Sequence, residues 1–314
     1  MASQGYDKAV KTRKRPVAHA LGGTGILGKA YKKWFALFLL PTVTAFAIGF
    51  LWPFIRGIYL SFCKFVTTSD AEWVWFENYI TAFKDRQFRY SFFYTALFAV
   101  VSLLAINIIA FAVAYALTRG IKGANLFRTV FFMPNLIGGI VLGYIWSLIF
   151  DGILGRFGTS ILLDTKYGFI GLVILMCWQQ VGYMMIIYIA GLQNVPEELV
   201  EAAKIDGASG KRILRKIILP SVMPSITICT FLTLTNSFKL FDQNIALNGG
   251  QPFIFETDTV TKTTEMLALN IYNTFYLNVN YRGVGQAKAV LFFVLVAAIG
   301  LIQLNATRSK EVQQ

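Results

Sequence analysis

Ionisable and metal-binding side chains are scarce in this sequence of 314 residues. Only 14% of the residues are charged, whereas a typical soluble protein has about 25%. His19 is the only histidine, which excludes a histidine-based catalytic or metal centre. The three cysteines, Cys63, Cys177 and Cys229, are scattered and odd in number. They therefore support neither a disulfide framework nor a zinc site.

Apolar residues are abundant, at 56% of the chain, and aromatic residues reach 15%. A chain of this size cannot hide so much apolar surface from water, so lipid is the expected solvent. The net charge of +13 would also suit a nucleic-acid-binding protein, but the basic residues occur in short runs between apolar stretches. This distribution follows the positive-inside rule of membrane proteins, and we exclude nucleic acid as a partner.

Six apolar windows are long enough to cross a bilayer, which requires about 20 mostly apolar residues. They are Trp34–Leu60, Phe92–Leu117, Phe127–Phe150, Gly168–Ala190, Ser221–Ile245 and Val284–Leu304. We therefore expect an all-α, six-span membrane domain over residues 34–304, flanked by a basic tail over 1–33 and a short tail over 305–314. An even number of spans places both termini on the same side.

The basic residues of the loops predict the orientation. Eighteen Lys and Arg residues lie on one side of the six spans and eight on the other. The richer side holds both termini, loop 118–126, Arg128 and loop 191–220; the poorer side holds loops 61–91, 151–167 and 246–283. The positive-inside rule places the richer side, with both termini, in the cytoplasm. Within the last external loop, Glu265–Leu277 is expected to form a short amphipathic helix.

The sequence Gly23–Gly28 matches the phosphate-binding pattern G-x-G-x-x-G, and Lys29 extends it to G-x-x-x-x-G-K. These patterns bind phosphate when a strand precedes them and a helix follows, whereas a basic tail precedes this one. Ala30 also stands where a P-loop needs Ser or Thr for magnesium. We interpret the segment as a flexible lead into the first span.

Loop 191–220 contains the signals of a helix–turn–helix. Pro196 suits a helix start, and Glu197 and the adjacent Glu198 suit the positive end of its dipole. Gly207 permits the backbone to turn out of the helix, Gly210–Leu219 has the pattern of a second short helix, and Pro220 is expected to separate it from the fifth span. Spacing alone leaves two interpretations open: an ordinary connector on the lipid headgroups, or a contact for a partner protein.

The motif Glu201-Ala202-Ala203-x-x-Asp206-Gly207-Ala208, continuing to Ile217-x-Leu219-Pro220, resembles the EAA loop of binding-protein-dependent ABC importer permeases. In that family the first helix of the loop docks in a cleft of an ATPase subunit. The resemblance implies that Glu201 makes a polar contact with the ATPase, that Ala202 and Ala203 allow close packing, and that Gly207 makes the turn. The full set of ATPase-coupling residues is then Glu197, Glu201, Ala202, Ala203, Asp206, Gly207, Leu214 and Pro220. Leu214 departs from the family, which usually has Phe there.

The C-terminal third is similar to the sugar-importer branch of that family, the maltose and glycerol-3-phosphate permease type. The matching segments are Asn236–Asp242, Leu247–Pro252, Tyr272 with Phe275, and Tyr281–Ala289. Gln251 departs from the usual third glycine, and 253–262 is longer than usual. The resemblance implies a type I importer permease bundle in a bacterial plasma membrane. It also implies a second permease subunit, two ATPase subunits that hold ATP and Mg, an external sugar-binding protein, and neither a cofactor nor a catalytic site in this chain.

Polar side chains inside the spans are the candidate contacts of the saccharide, because such groups are costly in lipid unless they face a cavity or pair within the bundle. Asn236, Lys239 and Gln243 have i, i+3, i+7 spacing and are expected to share one helical face. Phe238 can stack on a sugar ring. A second candidate group lies in the fourth span and comprises Trp178, Gln179 and Tyr183, next to Gln180.

Other interpretations of these residues stay open. Lys239 and Asp242 can pair with each other, Gln179 and Gln180 can bind neighbouring helices, and Trp178 and Tyr183 can be packing residues. The same architecture can also import glycerol phosphate, an anionic saccharide or a peptide, and Lys239 in the pathway would favour an anionic cargo. A membrane-bound enzyme or receptor would need intramembrane His, Asp or Cys constellations, which the sequence lacks.

Overall fold

A computed structural model describes residues 26–256 and 259–308 of the chain. Most of the predicted basic tail over 1–33, the start of the glycine-rich segment Gly23–Gly28, and the last six residues of the predicted tail over 305–314 lie outside this range. The segment Gly23–Gly28 was expected to be part of a flexible lead, and this expectation is wrong from Ile26 onward, where helix α1 begins. The chain divides into two compact units, 1–56 and 57–314.

The described part of the first unit, residues 26–56, is one helical segment with a widened turn. Helix α1 covers Ile26–Phe46, a π-helical turn covers Ala47–Leu51, and α2 begins at Trp52 and continues to Ser61 in the second unit. Pro53 cannot donate a hydrogen bond to the preceding turn. Directly before it the backbone widens, and Trp52 N–H donates to the Ala47 carbonyl.

Long helices dominate the second unit. The main ones are α4 (Arg86–Leu117), α6 (Gly139–Leu154), α7 (Thr165–Gln193), α11 (Met223–Phe238) and α14 (Arg282–Arg308). The shorter ones are α3 (Glu77–Lys84), α5 (Ala124–Phe132), α8 (Glu197–Ile205), α9 (Gly210–Ile213), α10 (Leu219–Ser221), α12 (Asp242–Leu247) and α13 (Leu267–Leu277). Helix α13 confirms the short helix expected over Glu265–Leu277.

Two small antiparallel hairpins, which the all-α prediction did not include, lie in the loops. Strand β1 (Cys63–Lys64) pairs with β2 (Glu72–Trp73), and β3 (Phe253–Glu256) pairs with β4 (Thr259–Lys262). We call the end of the bundle that carries β3 and β4 the hairpin end. The end that carries α8, α9 and α10 is the loop end. Helix α4 runs from one end to the other, a distance of about 48 Å at 1.5 Å per residue.

Five helical segments in the described residues are long and apolar enough to cross a membrane, and a sixth is bent. The straight or gently bent segments are Leu37–Ser61, Arg86–Leu117, Gly139–Phe157, Thr165–Gln193 and Val279–Gln303. The bent one joins Gly210–Ser221 to Met223–Phe238 at 70°. The second, fourth and sixth predicted windows are confirmed, each within a longer helix.

The third window, Phe127–Phe150, is wrong as a single helix. Helix α5 ends at Phe132, a 3-10 turn covers Met133–Leu136, and α6 begins only at Gly139. The two halves pack on different partners. A Cβ atom at Gly182 of α7 would lie 1.8 Å from the Phe131 carbonyl oxygen, so α5 touches α7 backbone to backbone, whereas α6 packs on α12.

The fifth window, Ser221–Ile245, is also wrong as a single helix. Helix α11 stops at Phe238, and α12 begins at Asp242 after a short non-helical link. Helix α12 packs tightly on α6, because a Cβ at Gly143 would lie 2.5 Å from the Ala246 Cβ. The link contains neither Gly nor Pro, so packing rather than local sequence causes this break.

The core lies between α4 and α7, with α11 beside them. Phe98 and Ile106 of α4 and Leu172 and Met184 of α7 are completely buried within it. A polar chain crosses the same core: Tyr188 Oη donates to Asn107 Oδ1 at 2.7 Å, and Asn107 Nδ2 donates to Thr233 Oγ1 at 3.3 Å. Hydrogen bonds therefore join α4, α7 and α11 inside the bundle.

An ion pair between a buried lysine and a partly exposed aspartate joins three elements at the hairpin end. Lys288 of α14 has no solvent exposure, and its Nζ lies 2.6 Å from the Asp85 carboxylate, just before α4. The same Nζ donates to Asn270 Oδ1 at 3.0 Å and to Thr274 Oγ1 at 2.8 Å, both on α13. A buried charge is costly unless it is paired, so this cluster holds α13 and the start of α4 against α14.

We expect Asp85→Asn to destabilise the protein by about 2 kcal/mol, less than the loss of a fully buried pair, because it leaves the buried Lys288 charge without the carboxylate that it bonds to. Asparagine keeps the helix cap that Asp85 gives to Gln87 and Phe88, so the loss reports on the ion pair. The measurement is thermal unfolding of the purified protein in detergent. The double variant Asp85→Asn/Lys288→Met should recover stability, while Lys84→Met, at an exposed neighbouring lysine, should change little. A double variant less stable than the single one would contradict this assignment.

We expect Gly182→Ala to lower the melting temperature, although alanine favours a helix over glycine by about 1 kcal/mol. The added methyl group meets the backbone of α5, which has no flexible end to move aside. Gly152→Ala in α6 is the matched control, because nothing lies within 4 Å of its Cβ position. A Gly182→Ala protein that melts at or above the wild-type temperature would show that α5 does not touch α7 in this way.

Candidate functional site

The predicted helix–turn–helix at the loop end is confirmed. Helix α8 begins directly after Pro196, with Glu197 and Glu198 in its first turn. It ends at Ile205, and Gly207 follows at φ +74°, a left-handed conformation that favours glycine. Gly207 N–H donates to the Lys204 carbonyl at 3.0 Å and Ala208 N–H donates to the Ala203 carbonyl at 2.9 Å, which closes the helix end.

The second half of the loop is helical, but its boundary differs from the prediction. Helix α9, a π-helical turn over Leu214–Ile218, and α10 follow one another, and Pro220 lies inside α10 rather than between the loop and the fifth span. The 70° bend comes at Val222. Pro224, in the first turn of α11, cannot donate to a continuing helix, so the chain restarts there.

The two alanines of the motif face different ways. Ala203 is half-buried and packs on the core, whereas Ala202 is exposed. Leu199 and Ile205 lie three residues before and after Ala202, so the three share one helical face, and Ile205 is 86% exposed. This exposed apolar face of α8 was not predicted as a unit; the i, i+3, i+6 spacing of Leu199, Ala202 and Ile205 was its signal.

A cavity of about 830 Å³ separates α8 from the adjacent ends of α4 and α7. Glu197, Glu201 and Lys204 line it from α8, and Arg119 lines it from the end of α4. Arg119 lies over the Tyr115 ring, with its guanidinium carbon 4.2 Å from the ring centre. Glu201 thus faces a mixed-charge cavity, and the apolar stripe of α8 faces outward.

In the middle of the bundle, the two helix breaks meet at a group of amide side chains. Gln243 Nε2 donates to Gln179 Oε1 at 2.7 Å, and Gln179 Nε2 donates to the Ile137 carbonyl at 3.3 Å. Beside them, Asn236 Nδ2 lies 3.5 Å from Gln180 Oε1. We call Gln179, Gln180, Asn236 and Gln243 the amide cluster. The sequence placed these residues in two separate groups, and the structure brings them together.

The predicted common face of Asn236, Lys239 and Gln243 is wrong. Asn236 is in α11, Lys239 caps the end of that helix, and Gln243 lies in α12. Their spacing assumes one continuous helix, and the chain breaks between them so that α12 can pack on α6. Lys239 is exposed, and no ion pair joins it to Asp242 among the residues that the structure describes.

The aromatic candidates differ in burial and in their packing partners. Phe238 is buried, and Tyr183 is half-buried and packs on the core. Trp178 is 44% exposed and meets Trp146 edge to face, with ring centres 5.6 Å apart.

A second cavity, of about 380 Å³, lies towards the hairpin end and is lined by aromatic rings. The rings of Phe241 and Tyr272 are 5.0 Å apart, and those of Tyr272 and Tyr276 are 4.7 Å apart. Phe241 directly precedes α12, which carries Gln243. One residue of the link between α11 and α12 therefore lines the aromatic cavity. In the sequence, Tyr272 and Phe275 stand out only as part of the motif similar to sugar importers.

Comparisons with known proteins agree with this architecture. The family model of the binding-protein-dependent transport system inner membrane component matches residues 107–309. The chain is 40% identical to the probable starch degradation products transport system permease protein AmyD of Thermoanaerobacterium thermosulfurigenes, over 89% of this chain and 96% of that protein. It is 28% identical to the multiple sugar-binding transport system permease protein MsmF of Streptococcus mutans, over 90% and 97% of the two chains.

A solved structure of a bacterial ABC transporter involved in the import of the acidic polysaccharide alginate has the same fold. The match has a TM-score of 0.73 at 21% identity and covers 90% of this chain and 98% of that chain. The family match spans more than half of the chain. The apolar helices of the chain show that it is a multi-pass membrane protein. The chain belongs to the family of binding-protein-dependent transport system inner membrane components, which are transport permeases.

Proposed function

We propose that this chain is the permease subunit of a bacterial ABC sugar importer in the inner membrane, with both termini in the cytoplasm. It forms half of the pathway beside a second permease subunit. Two ATPase subunits bind ATP and Mg and dock at the loop end, and an external sugar-binding protein delivers the saccharide at the other end. The observation that carries the proposal is the amide cluster at two facing helix breaks, in a bundle that ends in an EAA loop.

The exposed stripe of Leu199, Ala202 and Ile205 is the surface we assign to the ATPase cleft. Its apolar side chains contribute burial on docking, and the small Ala202 lets the partner approach closely. Glu201 lies beside the stripe and supplies a polar contact. The other face of α8 packs on the permease through Val200 and Ala203, so a partner that moves α8 also moves the helices behind it.

Motion of the loop reaches the amide cluster through α11. This helix begins after the bend at Val222 and has 16 residues, which correspond to a rod of about 24 Å. Asn236 lies near its far end. A tilt of the loop end therefore displaces Asn236 relative to Gln180 on α7, and the amide cluster opens or closes with it.

The amide cluster suits a neutral, hydroxyl-rich cargo. Each amide both donates and accepts hydrogen bonds, so its bonds to other amides can be exchanged for bonds to sugar hydroxyls. Broken helices at the middle of a bundle are typical of transporter substrate sites, because they expose backbone groups there. The names of AmyD and MsmF, which refer to starch degradation products and multiple sugars, favour a saccharide over a peptide.

Lys239 favours a second candidate cargo. It is exposed at the break, and no ion pair engages it within the described part of the chain. A cation that faces the pathway from this break would suit an anionic saccharide or glycerol phosphate. Uptake of neutral and anionic compounds by the same reconstituted complex distinguishes the two candidates.

We expect Glu201→Lys to uncouple transport by placing a like charge in the cavity that Arg119 and Lys204 line. Sugar uptake into proteoliposomes and its stimulation of ATP hydrolysis should fall by about tenfold or more, while the complex stays in the membrane. Glu77→Lys is the matched control, because it makes the same charge change at an exposed position on α3, outside the loop end. Wild-type uptake and stimulation in the Glu201→Lys complex would refute the coupling role.

We expect Asn236→Ala to raise the saccharide concentration needed for half-maximal uptake by about tenfold, the effect of losing one hydrogen bond of roughly 1.5 kcal/mol. ATPase assembly, measured by co-purification, should not change. Thr235→Ala is the control, because the Thr235 hydroxyl donates to its own helix at Phe231. If uptake is unchanged across a panel of neutral and anionic sugars, Asn236 does not contact the cargo.

A further inference from the structure

The second half of the loop end carries cationic side chains that the proposed ATPase contact does not involve. Four of them are exposed on the helical segment Gly210–Ser221; they are Lys211, Arg212, Arg215 and Lys216. Pairs of basic residues alternate along the segment with pairs of apolar residues, which are Ile213, Leu214, Ile217 and Ile218. The apolar pairs are buried or half-buried in the core. The four cations therefore share the other side of the segment, and we call them the basic face.

The basic face has no counter-charge within the part of the chain that the structure describes. Over residues 26–256 and 259–308, no ion pair or side-chain hydrogen bond engages any of its four cations. Lys211 and Arg215 are four residues apart, as are Arg212 and Lys216, and like charges at this spacing destabilise a helix. An anionic surface that covers the face therefore relieves this repulsion in addition to attracting each cation.

The direction of the segment keeps this face at one level of the membrane. Gly210–Ser221 meets the membrane-crossing helix α11 at 70°. The basic face lies seven to twelve residues before Met223, the first residue of α11, which is about 10–18 Å along the segment. At 70°, this length advances only about 4–6 Å along the axis of α11. The face thus stays close to the level at which α11 begins, where the polar headgroup layer borders the hydrocarbon core.

The conformation of the segment suits contact with lipid. Helices that lie in a membrane interface have Lys and Arg on their polar side and apolar residues on the other. The segment is helical from Gly210 to Ser221, so it has no open strand edge that would oppose a lipid surface. The long stems of Lys and Arg can lie along apolar surface while their charges reach the phosphate groups.

The charges of the loop distinguish lipid from the ATPase as the partner of the basic face. Helix α8, which carries the proposed ATPase contact, has three glutamates and one lysine and is therefore net acidic. The basic face has the opposite sign, and a cleft whose charge complements one of these surfaces does not complement the other. The cytoplasmic leaflet is anionic and attracts basic segments next to membrane-crossing helices. Charge and position therefore both favour phospholipid headgroups.

We propose that the basic face binds the phosphate groups of anionic phospholipids, while the apolar stripe of α8 stays free for the ATPase. The loop then makes both contacts that its spacing left open, with lipid headgroups in its second half and with a partner protein in its first. Assignment to the cytoplasmic leaflet rests on the proposed function, whereas the lipid contact itself follows from the charge and direction of the segment. Bound lipid holds Gly210–Ser221 in the membrane plane, so α8 is presented to the ATPase at a fixed height.

The test measures the lipid preference of the purified full chain in an uncharged detergent, before any partner is added. Titrations with dioleoyl phosphatidylglycerol and with dioleoyl phosphatidylcholine, followed by native mass spectrometry, give the ratio of the two dissociation constants. The variant Lys211→Gln/Arg212→Gln/Arg215→Gln/Lys216→Gln should lower the preference for phosphatidylglycerol by about tenfold or more, because each basic residue near an anionic surface adds to the attraction. A higher salt concentration should weaken the preference of the wild-type chain, since salt screens exposed charges.

A charge-preserving exchange is the first control. Lys211→Arg/Arg212→Lys/Arg215→Lys/Lys216→Arg changes the same four positions, keeps every charge and should keep the lipid preference. The melting temperature of each variant is measured in the same detergent. If the fourfold Gln variant does not fold, Lys211→Gln/Lys216→Gln takes its place, with a loss of preference of about fivefold expected.

The second control removes four exposed charges from loops 61–91 and 151–167, on the other side of the six spans. This variant is Lys64→Gln/Lys84→Gln/Arg156→Gln/Lys166→Gln, and it should keep the preference for phosphatidylglycerol. If it loses as much preference as the basic-face variant does, the lipid is attracted by net charge and not by the basic face, and the inference fails.

Two other outcomes overturn the inference. An unchanged lipid preference in the folded basic-face variant would show that the four cations do not bind phospholipid. Loss of ATPase co-purification in that variant, with the lipid preference intact, would assign the basic face to the ATPase. The lipid titration needs neither cargo nor ATP. A failure of sugar uptake would therefore refute the proposed function without changing the result for lipid, so the two failures are distinguishable.

Discussion

The packing of α4 against α7 is the interaction on which the rest of this structure depends. Both helices run the whole length of the bundle, and their buried faces meet around residues such as Phe98 and Leu172. At one end Gln87 of α4 bonds to Lys262 in β4 and Thr165 of α7 bonds to Thr263, and at the other end the two helices border the cavity beneath α8. Because α4 and α7 form a rigid pair that reaches from the hairpin end to the loop end, the shorter helices at both ends can move relative to the same two helices.

The helix breaks are tolerated because side chains of the bundle satisfy the backbone groups that the breaks expose. Where α5 gives way to α6, the Ile137 carbonyl has lost its helical partner and accepts from Gln179 instead. Gln179 in turn accepts from Gln243, which belongs to the second broken segment. Irregular backbone at membrane depth is tolerated where protein or a polar cavity covers it. The amide cluster thus stabilises the breaks and supplies the polar groups that the proposed cargo needs.

The glycines on the contact faces explain why the broken helices stay in place. Gly182 lets α5 lie directly on α7, and Gly143 does the same for α12 on α6. Close backbone approach of this kind is a common source of helix association in lipid, where apolar side chains gain little by leaving the solvent. The short helix α12 is thereby held at the break, and its six residues bring Gln243 to the centre of the bundle.

The sequence alone predicted the features that depend on composition and local conformation. Apolar windows predicted the membrane class and the long helices α4, α7 and α14, because a span must be long and apolar wherever it packs. Pro196, the glutamates after it and Gly207 predicted the helix–turn–helix, since each acts on its own neighbouring backbone. The motif around Glu201 also predicted the family, which the comparisons confirmed.

Only the tertiary structure decided where the third and fifth windows break and which polar residues meet there. Gln179 and Gln243 are 64 positions apart, and no periodicity within one helix relates them. The link between α11 and α12 contains no Gly or Pro that would predict a break. The i, i+7 spacing of Asn236 and Gln243 therefore wrongly implied a common helical face. A break of this kind is stable because helices distant in sequence pack against its ends and satisfy the backbone hydrogen-bonding groups there. The local sequence does not contain the identity of those partners.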